Sequence, residues 1–203
     1  MKLSFKFLLI AVPFFLLIGS SCKKSLKAIP EGTKVEFNAF ETYSSFELED
    51  MRGMEYADSV LQLYVADPEA FSDSVVMDSV TRILNENNVR YDYYRQIQQL
   101  VYFHKEPSIT DFPEVLSIEP YNYESDEYEV ELQLKNIDDW KNFLESNLQR
   151  QIVIFINDDF IFAPYIEGVN ESGKIYVPLA KDQIAKILPM VNINQIDQQK
   201  RSE

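Results

Sequence analysis

The chain is short of the residue types that most catalytic and covalent sites use. Its 203 residues include one cysteine, one histidine and five glycines. A lone cysteine, Cys22, excludes an internal disulfide, so an apolar core has to stabilise the fold. A lone histidine, His104, excludes a zinc site built from two histidines and leaves one candidate base for a serine–histidine–aspartate triad. No serine has the flanking glycines of a nucleophile elbow, and no glycine-rich phosphate loop is present.

Basic residues are also scarce. The chain has 19 lysines and arginines against 33 aspartates and glutamates, which gives a formal charge of −14. Such an excess of negative charge repels nucleic acid and anionic lipid, so we do not expect a nucleic-acid partner. The exception is a small basic cluster at Lys23, Lys24 and Lys27. It would favour anionic head groups beside a membrane, and it would equally suit a solvated linker.

Only one long apolar run is present, from Phe7 to Ile18. As a helix it would rise about 18 Å, which is too short for a hydrocarbon core about 30 Å thick. Lys2 and Lys6 precede the run, and small residues lead from it to Cys22. This pattern resembles a bacterial lipoprotein signal, which implies cleavage before Cys22 and a diacylglycerol on its thiol. The alternative is an ordinary secretory signal cut near Ser21.

The resemblance to a lipoprotein signal also implies a subcellular location. Lys23, rather than an aspartate, follows the lipidated cysteine, and the next residues are basic rather than acidic. Both features favour the outer membrane, with the protein facing the periplasm and held by the lipid. Loss of the signal would remove Lys2 and Lys6, so the formal charge would fall from −14 to −16.

Composition divides the chain into stretches of different character. We expect one domain or two small subdomains, because apolar residues are plentiful and no repeat or low-complexity tract is visible. The predicted stretches are a signal peptide at 1–21, a tether at 22–32, a strand plus helical subdomain at 33–106, an acidic connection at 107–127, an α+β subdomain at 128–190 and a polar tail at 191–203.

Hydrophobic spacing predicts the elements of the first half. Alternation indicates a strand at Lys34 to Tyr43, and apolar stripes indicate three helices after it. The first helix begins near residue 47 and the second follows Pro68. The third covers Tyr93 to Val101 and ends before Pro107, which places His104 near a helix end.

The second half has the clearest pattern. Tyr128 to Leu134 alternates apolar and polar side chains, as expected for a strand with one wet face. Asn136 is a candidate cap for a helix whose apolar stripe runs from Ile137 to Leu148. The continuous apolar run from Ile152 to Ile156 predicts a central strand buried on both faces.

A hairpin should follow that central strand. Asn157, Asp158 and Asp159 form its predicted turn, and the return strand covers Phe160 to Ile166. Pro164 cannot donate a ladder hydrogen bond, so this strand should lie at a sheet edge or be bulged at Pro164. A further strand at 174–178, a helix from about residue 181 to 189 and a frayed tail complete the prediction.

This order of elements resembles the head of the first periplasmic domain of SecD and SecDF, accessory subunits of the preprotein translocase. The phrase IVIFINDDFIFAPYIEG carries the resemblance, with Asn157 to Asp159 at the family's turn and Ala163 and Pro164 at its Ala-Pro positions. Phe162 stands where the family has serine, and the turn lacks the family's glycine. The resemblance implies an α+β fold: a small antiparallel or mixed sheet with helices on one face, ferredoxin-like in the order β-α-β-β-β-α, preceded by a helix-rich subdomain.

An upstream segment strengthens the resemblance. TKVEFNAFETYSSFELEDM, followed by ADSVL, is similar to a segment of SecDF proteins from Bacteroidetes-type bacteria. The membrane helices that carry the family's proton-conducting carboxylates have no counterpart after residue 18. The resemblance therefore implies a periplasmic domain of that kind and not the translocation motor.

Acidic residues offer the remaining catalytic option. Asp138 with Asp139, and Asp158 with Asp159, are paired carboxylates, but adjacent residues point apart and both pairs sit where helix starts and turns favour aspartate. The acidic run at Glu124 to Glu127 lacks the ligand spacing of a calcium loop. We therefore expect no metal and no cofactor.

The favoured hypothesis is a non-enzymatic lipoprotein that binds protein. An exported polypeptide or an envelope protein would engage a sheet edge or groove near Phe160 to Ile166, with Phe160, Phe162 and Tyr165 as the binding surface. One alternative is a hydrolase that uses the acidic residues. The other is a regulatory or inhibitory lipoprotein whose acidic surface docks a basic partner.

Overall fold

The computed structural model describes residues 29–68, 74–95, 97–122 and 126–200. Cys22, the signal stretch 1–21 and the tether as far as residue 28 lie outside the described residues, as do Glu124 and Ser125 of the acidic run. The described elements are, in chain order, β1 (Phe37–Glu41), α1 (Ser45–Glu49), α2 (Met54–Ala66), α3 (Ser74–Glu86), β2 (Val89–Tyr94), β3 (Gln99–His104), β4 (Ile109–Asp111), β5 (Glu114–Asn122), β6 (Glu127–Gln133), α4 (Ile137–Ser146), β7 (Ile152–Ile156), β8 (Asp159–Phe162), β9 (Lys174–Ala180), α5 (Lys181–Ile187) and α6 (Ile193–Lys200).

The fold is α+β, with small antiparallel sheets and a few helices, as the sequence predicts. The described strands form a four-stranded sheet in the order β4-β1-β7-β8, a three-stranded sheet in the order β5-β6-β9 and the hairpin β2-β3. The strands predicted within 128–190 are thus divided between two sheets rather than joined in one. Strand β1 lies between β4 and β7, so its hydrogen bonds cross the predicted boundary near residue 107.

The main core is shared by the two larger sheets. Side chains from β1 and β7 pack in one cluster with side chains from β6, β9 and helix α4. All five residues of β7 are buried, which confirms the central strand predicted from its unbroken apolar run. Strand β6 buries Tyr128, Val130 and Leu132 as its alternation predicts. The edge position predicted for the strand before Pro164 is also confirmed, since β8 ends the sheet and stops at Phe162.

A second core lies between two helices and the β2-β3 hairpin. Helices α2 and α3 bury Leu61 and Val80 against Val89, Leu100 and Tyr102 of the hairpin. The helix predicted from residue 47 is divided, because Gly53 adopts a φ of +83° between α1 and α2. That left-handed conformation suits glycine and interrupts the helical backbone.

The opposite face of the hairpin packs on the four-stranded sheet. Phe103 of β3, Phe40 of β1 and Phe155 of β7 form an aromatic cluster with ring centroids 5.3–5.6 Å apart. The Arg90 guanidinium lies over all three rings at 5.2–5.5 Å. Cation–π attraction and ring packing therefore attach the hairpin to the sheet.

The third predicted helix is wrong. Residues 93 and 94 belong to strand β2 and residues 99–101 to strand β3, and the two strands pair from Val89↔His104 to Tyr94↔Gln99. The spacing of the apolar residues there fits either element, and the abundance of tyrosine, valine and phenylalanine decides for strands. His104 consequently ends a strand, and its ring stacks on Tyr43 with centroids 4.3 Å apart.

The predicted acidic connection at 107–127 is also wrong as a connection, because it contains β4 and β5. Pro120 is tolerated because β5 ends its sheet. Buried Asp111 holds the segment that leads into α4: its Oδ2 accepts the backbone N–H groups of Lys135 and Asn136, at 2.8 and 3.0 Å. The Asn136 side chain makes no capping hydrogen bond.

The described parts of the predicted tether and of the predicted polar tail are packed on the main core. Ile29, within the predicted tether, is buried in the main core. The predicted polar tail forms helix α6 as far as Lys200, with Ile193 and Ile196 in the same core. Asp197 accepts a hydrogen bond from the Tyr128 hydroxyl at 2.6 Å, which anchors this helix to β6.

Candidate functional site

The residues predicted as a binding surface do not form one. Phe160 packs with Phe155 and Tyr94 on one face of the four-stranded sheet, at centroid distances of 5.7 and 5.5 Å. Phe162 packs against the main core on the other face. A register shift between β7 and β8 turns these two side chains to opposite sides. Tyr165 is exposed, and its hydroxyl donates to Gln149 at 3.2 Å.

The predicted turn residues have structural roles. Asn157 and Asp158 form the two-residue hairpin turn with φ values of 48° and 67°, as expected for a turn of this length. The Asn157 side chain accepts the N–H of Glu36 and donates to the carbonyl of Ile187, both at 2.9 Å. Asp159 starts β8 and pairs with Lys186. This turn therefore joins β1, β7 and the end of α5.

The remaining motif residues and the paired carboxylates belong to separate elements. Ala163 is buried, and the Pro164 carbonyl accepts the N–H of Ile152 at 3.0 Å. Asp138 and Asp139 occupy the first turn of α4, as sequence analysis predicts. The two aspartate pairs thus belong to different elements, a helix start and a hairpin turn.

A cleft lies where the helices, the end of β1 and strand β3 meet. Its cavity volume is about 400 Å³, within the usual range for a binding site. Its described lining consists of Thr42, Tyr43, Ser45, Leu48, Glu49, Met54, Glu55, Asp58, Gln62, Gln99, Leu100, Val101, Tyr102 and Gln151. The floor is apolar, and carboxylates and amides surround it.

The cleft faces the edge of β3 rather than one of its faces. Four consecutive β3 residues, from Gln99 to Tyr102, line it. A cleft on a sheet face would contact alternate residues, because side chains along a strand alternate between faces. The lining therefore follows the backbone edge of the strand.

The strand register leaves part of that edge without a backbone partner among the described residues. The Lys105 N–H donates to Asn88 at 3.1 Å, and pairing alternates along the hairpin from there. By this alternation, the backbone groups of Leu100 and Tyr102 point away from β2. The Tyr102 carbonyl accepts the N–H of Tyr43 at 2.9 Å, where β1 reaches this edge. The chain then turns at Ser44 into α1, and the Leu100 edge faces the cleft.

A hydrogen bond between a tyrosine and a carboxylate lies at the cleft wall. The Tyr102 hydroxyl donates to Asp58 at 2.5 Å. Burial raises the pKa of Tyr102 above its ordinary value of 10, and the Asp58 carboxylate raises it further. Tyr102 is therefore a protonated donor at neutral pH and not a base.

Helix α1 forms the outer wall, and polar contacts hold it. The Glu47 carboxylate accepts the N–H of Ser44 at 2.7 Å, and the Ser44 hydroxyl accepts the N–H of Glu47. Arg150 donates to the same Glu47 oxygen at 2.7 Å and to the Thr42 carbonyl at 3.1 Å. No residue of α1 is buried. A capping box thus stabilises the start of α1. The ion pair with Arg150 and the packing of Leu48 on the helix core attach the wall to the rest of the molecule.

The donor set suits binding by hydrogen bonds and charge. Within the part of the chain that the structure describes, no group of three or more His, Cys, Asp or Glu side chains is placed to hold a metal ion. None of the helices in this part is long and apolar enough to cross a membrane. The cleft could not be expected from the sequence, because the apolar spacing predicted a helix from Tyr93 to Val101, which overlaps the start of β3. The alternation of VRYDYY at 89–94 is the signal that indicates strands instead.

Comparisons of the chain with known protein families, with curated proteins and with solved structures found no significant match.

Proposed function

We propose that this chain is a non-enzymatic lipoprotein of the bacterial cell envelope that binds an extended segment of polypeptide in the cleft beside β3. The open edge at Leu100 carries the proposal. A strand edge offers backbone donors and acceptors in a row, and an extended peptide can pair with them whatever its sequence. The segment would continue along β3 from the position where Tyr43 pairs with Tyr102.

The walls of the cleft favour this ligand class over a small substrate. Amide side chains of the lining, among them Gln62, Gln99 and Gln151, can pair with a peptide backbone. Leu48 and Tyr43, which are partly exposed, offer apolar contact to its side chains. Tyr102 is held protonated, and Asp58 accepts its hydrogen bond. These two groups serve recognition and not a proton transfer.

The proposed address follows from the lipoprotein-like signal. Lipid attached to Cys22 would hold the domain at the outer membrane, facing the periplasm, where exported and envelope polypeptides are available. An accessory role in protein export, which the resemblance to the SecD head implies, fits both the address and the ligand. We expect Cys22→Ala to abolish labelling by a fatty-acid analogue and to release the protein from membranes. Unchanged labelling would refute the anchor without touching the cleft.

Binding can be tested with a defined probe, a six-residue peptide that alternates valine with lysine. We expect hydrogen exchange at the Leu100 amide to slow when the peptide is added. Tyr176 on β9 is the matched control, since its register places its amide on the outer edge of a different sheet. Exchange that is unchanged at Leu100, or slowed equally at both amides, would contradict strand addition at β3.

A further inference from the structure

We infer that the cleft selects extended segments that carry lysine or arginine next to apolar residues. This inference rests on the proposed function and concerns which side chains the bound strand presents. The partner is an exported polypeptide with a basic, partly apolar stretch. Three observations carry the inference: the charge of the lining, the position of Asp58 relative to β3, and the apolar floor between them.

The described lining is of one charge sign. Glu49, Glu55 and Asp58 all contribute to it, and no lysine or arginine is among its described residues. The nearby cation Arg150 pairs with Glu47. The lining thus presents three carboxylates to an occupant, and a cationic side chain would find opposite charge from more than one direction.

The hydrogen bond between Tyr102 and Asp58 fixes which face of β3 carries this charge. Leu100 and Tyr102 are two residues apart, so both side chains point to the helix side of the strand, where Asp58 lies. Paired residues of neighbouring strands point their side chains to the same face. The residue that pairs beside Leu100 would therefore direct its side chain toward Asp58 and Glu55.

The floor explains why the cation should have an apolar stem or neighbour. Leu100 and Met54 are almost fully buried beneath the cleft, and Leu48 and Tyr43 are partly exposed beside it. Lysine and arginine side chains can lay their methylene groups on such a surface while the charged end reaches a carboxylate. A glutamate at the same position would meet repulsion from the lining.

The test uses three six-residue peptides that alternate valine with lysine, with glutamine or with glutamate. Binding to the full chain is measured by fluorescence anisotropy at low and high salt. We expect the lysine peptide to bind most tightly and the glutamate peptide least, and we expect only the lysine peptide to weaken as salt rises. Equal affinity of the lysine and glutamine peptides at low salt would overturn the inference.

Two protein variants locate the effect. Glu55→Gln and Asp58→Asn remove charge while keeping hydrogen-bonding capacity, and each should weaken the lysine peptide by up to about fivefold and leave the glutamine peptide unchanged. Asp182→Asn is the charge-matched control on α5, outside the cleft lining. An equal loss with Asp182→Asn would show diffuse attraction to an acidic protein and would overturn the inference.

A fourth peptide separates failure of this inference from failure of the proposed function. It is the lysine peptide with N-methyl groups on alternate residues, made in both phases. Strand addition predicts that one phase abolishes binding. If neither phase weakens binding, the charge preference acts without strand pairing and the proposed function fails. If the Leu100 amide becomes protected on raising the protein concentration alone, the occupant is a second copy of this chain, and the inferred partner is wrong.

Discussion

Two edge strands of this molecule differ in how the chain treats their outer backbone groups. On β9, the N–H of Lys174 donates to Ser172 at 3.2 Å and its carbonyl accepts the Asn170 amide at 2.5 Å. Further along, Pro178 has no N–H, and the N–H of Ala180 donates to Gln183 at 2.9 Å. No described residue protects the edge of β3 in this way at Leu100, which faces the cleft.

The difference shows that the edge of β9 has features that hinder pairing with a strand of another chain. Proline and local side-chain acceptors are common means by which proteins protect a strand edge from pairing. At β3 the walls of a cleft limit access instead, and we propose that they admit a single extended segment of suitable chemistry. A protected edge prevents association, whereas an edge inside a cleft permits selective association.

The largest effect should come from removing the packing that positions the β3 edge. Phe103 is fully buried between Phe40 and Phe155. Phe103→Ala should lower the free energy of unfolding by about 3–5 kcal/mol, measured by urea denaturation, because a large aromatic side chain leaves a cavity. Tyr176→Ala on β9, where the side chain is half exposed, should cost less than about 1 kcal/mol. Similar losses at both positions would contradict this account of the two strands.

A smaller effect is expected at the cleft wall. Asp58→Ala removes the acceptor of the Tyr102 hydroxyl, which is part of a buried residue. The free energy of unfolding should fall by about 1–3 kcal/mol, the cost of a buried polar group left without a partner. Asp58→Asn keeps an acceptor oxygen and should cost less than half as much by the same measurement. If both variants lose the same amount, the negative charge matters for stability rather than the hydrogen bond.

The sequence predicts the elements whose environment follows from their own pattern. Ile152 to Ile156 can only be buried on both faces, and Asn157 and Asp158 tolerate the positive φ values of a tight turn. The partner of a strand is harder to predict, because pairing depends on residues far along the chain. Strand β1 pairs with β7, more than a hundred positions away, and no local sequence pattern predicts this pairing.

The cleft could not be predicted either, because it depends on contacts between distant parts of the chain. In addition, one element that lines it was predicted as a helix and is a strand. Apolar residues between 93 and 101 fit a helical stripe, and a helix there has no open edge. The cleft also depends on where β1 ends beside Tyr102, which is a tertiary contact. Asp111, whose buried carboxylate accepts hydrogen bonds from two backbone N–H groups, lies in a stretch whose composition predicts an acidic connection. Its role depends on packing rather than on sequence neighbours.

Opening the protected edge would sharpen the comparison. Pro178→Thr adds a backbone N–H that the register directs outward from β9. Stability should change by less than about 1 kcal/mol, since the side chain is exposed and the new residue suits a strand. Self-association measured by sedimentation velocity should increase. Tyr176→Thr keeps the proline and should stay as monomeric as the parent, and equal behaviour of the two variants would show that Pro178 does not protect this edge.

The smallest effect concerns the wall of the open edge and depends on pH. The hydrogen bond from the Ser44 N–H lowers the pKa of Glu47 below its ordinary 4.5, with further contributions from the Ser44 hydroxyl and Arg150. Because the folded state favours the ionised form, Glu47 contributes stability above pH 4.5, and this contribution is lost as pH falls through the folded value.

Glu47→Gln should therefore cost up to about 1 kcal/mol at neutral pH, a modest amount because the Glu47 and Arg150 side chains are 42% and 38% exposed. The difference from the parent in urea denaturation should shrink below pH 4.5. Glu171→Gln, which removes a more exposed carboxylate paired with Lys141, is the control and should show no such trend. A difference that stays constant down to pH 3 would mean that α1 is attached by its backbone and not by the Glu47 carboxylate. Helix α1 would then stay in place at acidic pH, and it would still limit the access of other chains to the edge of β3.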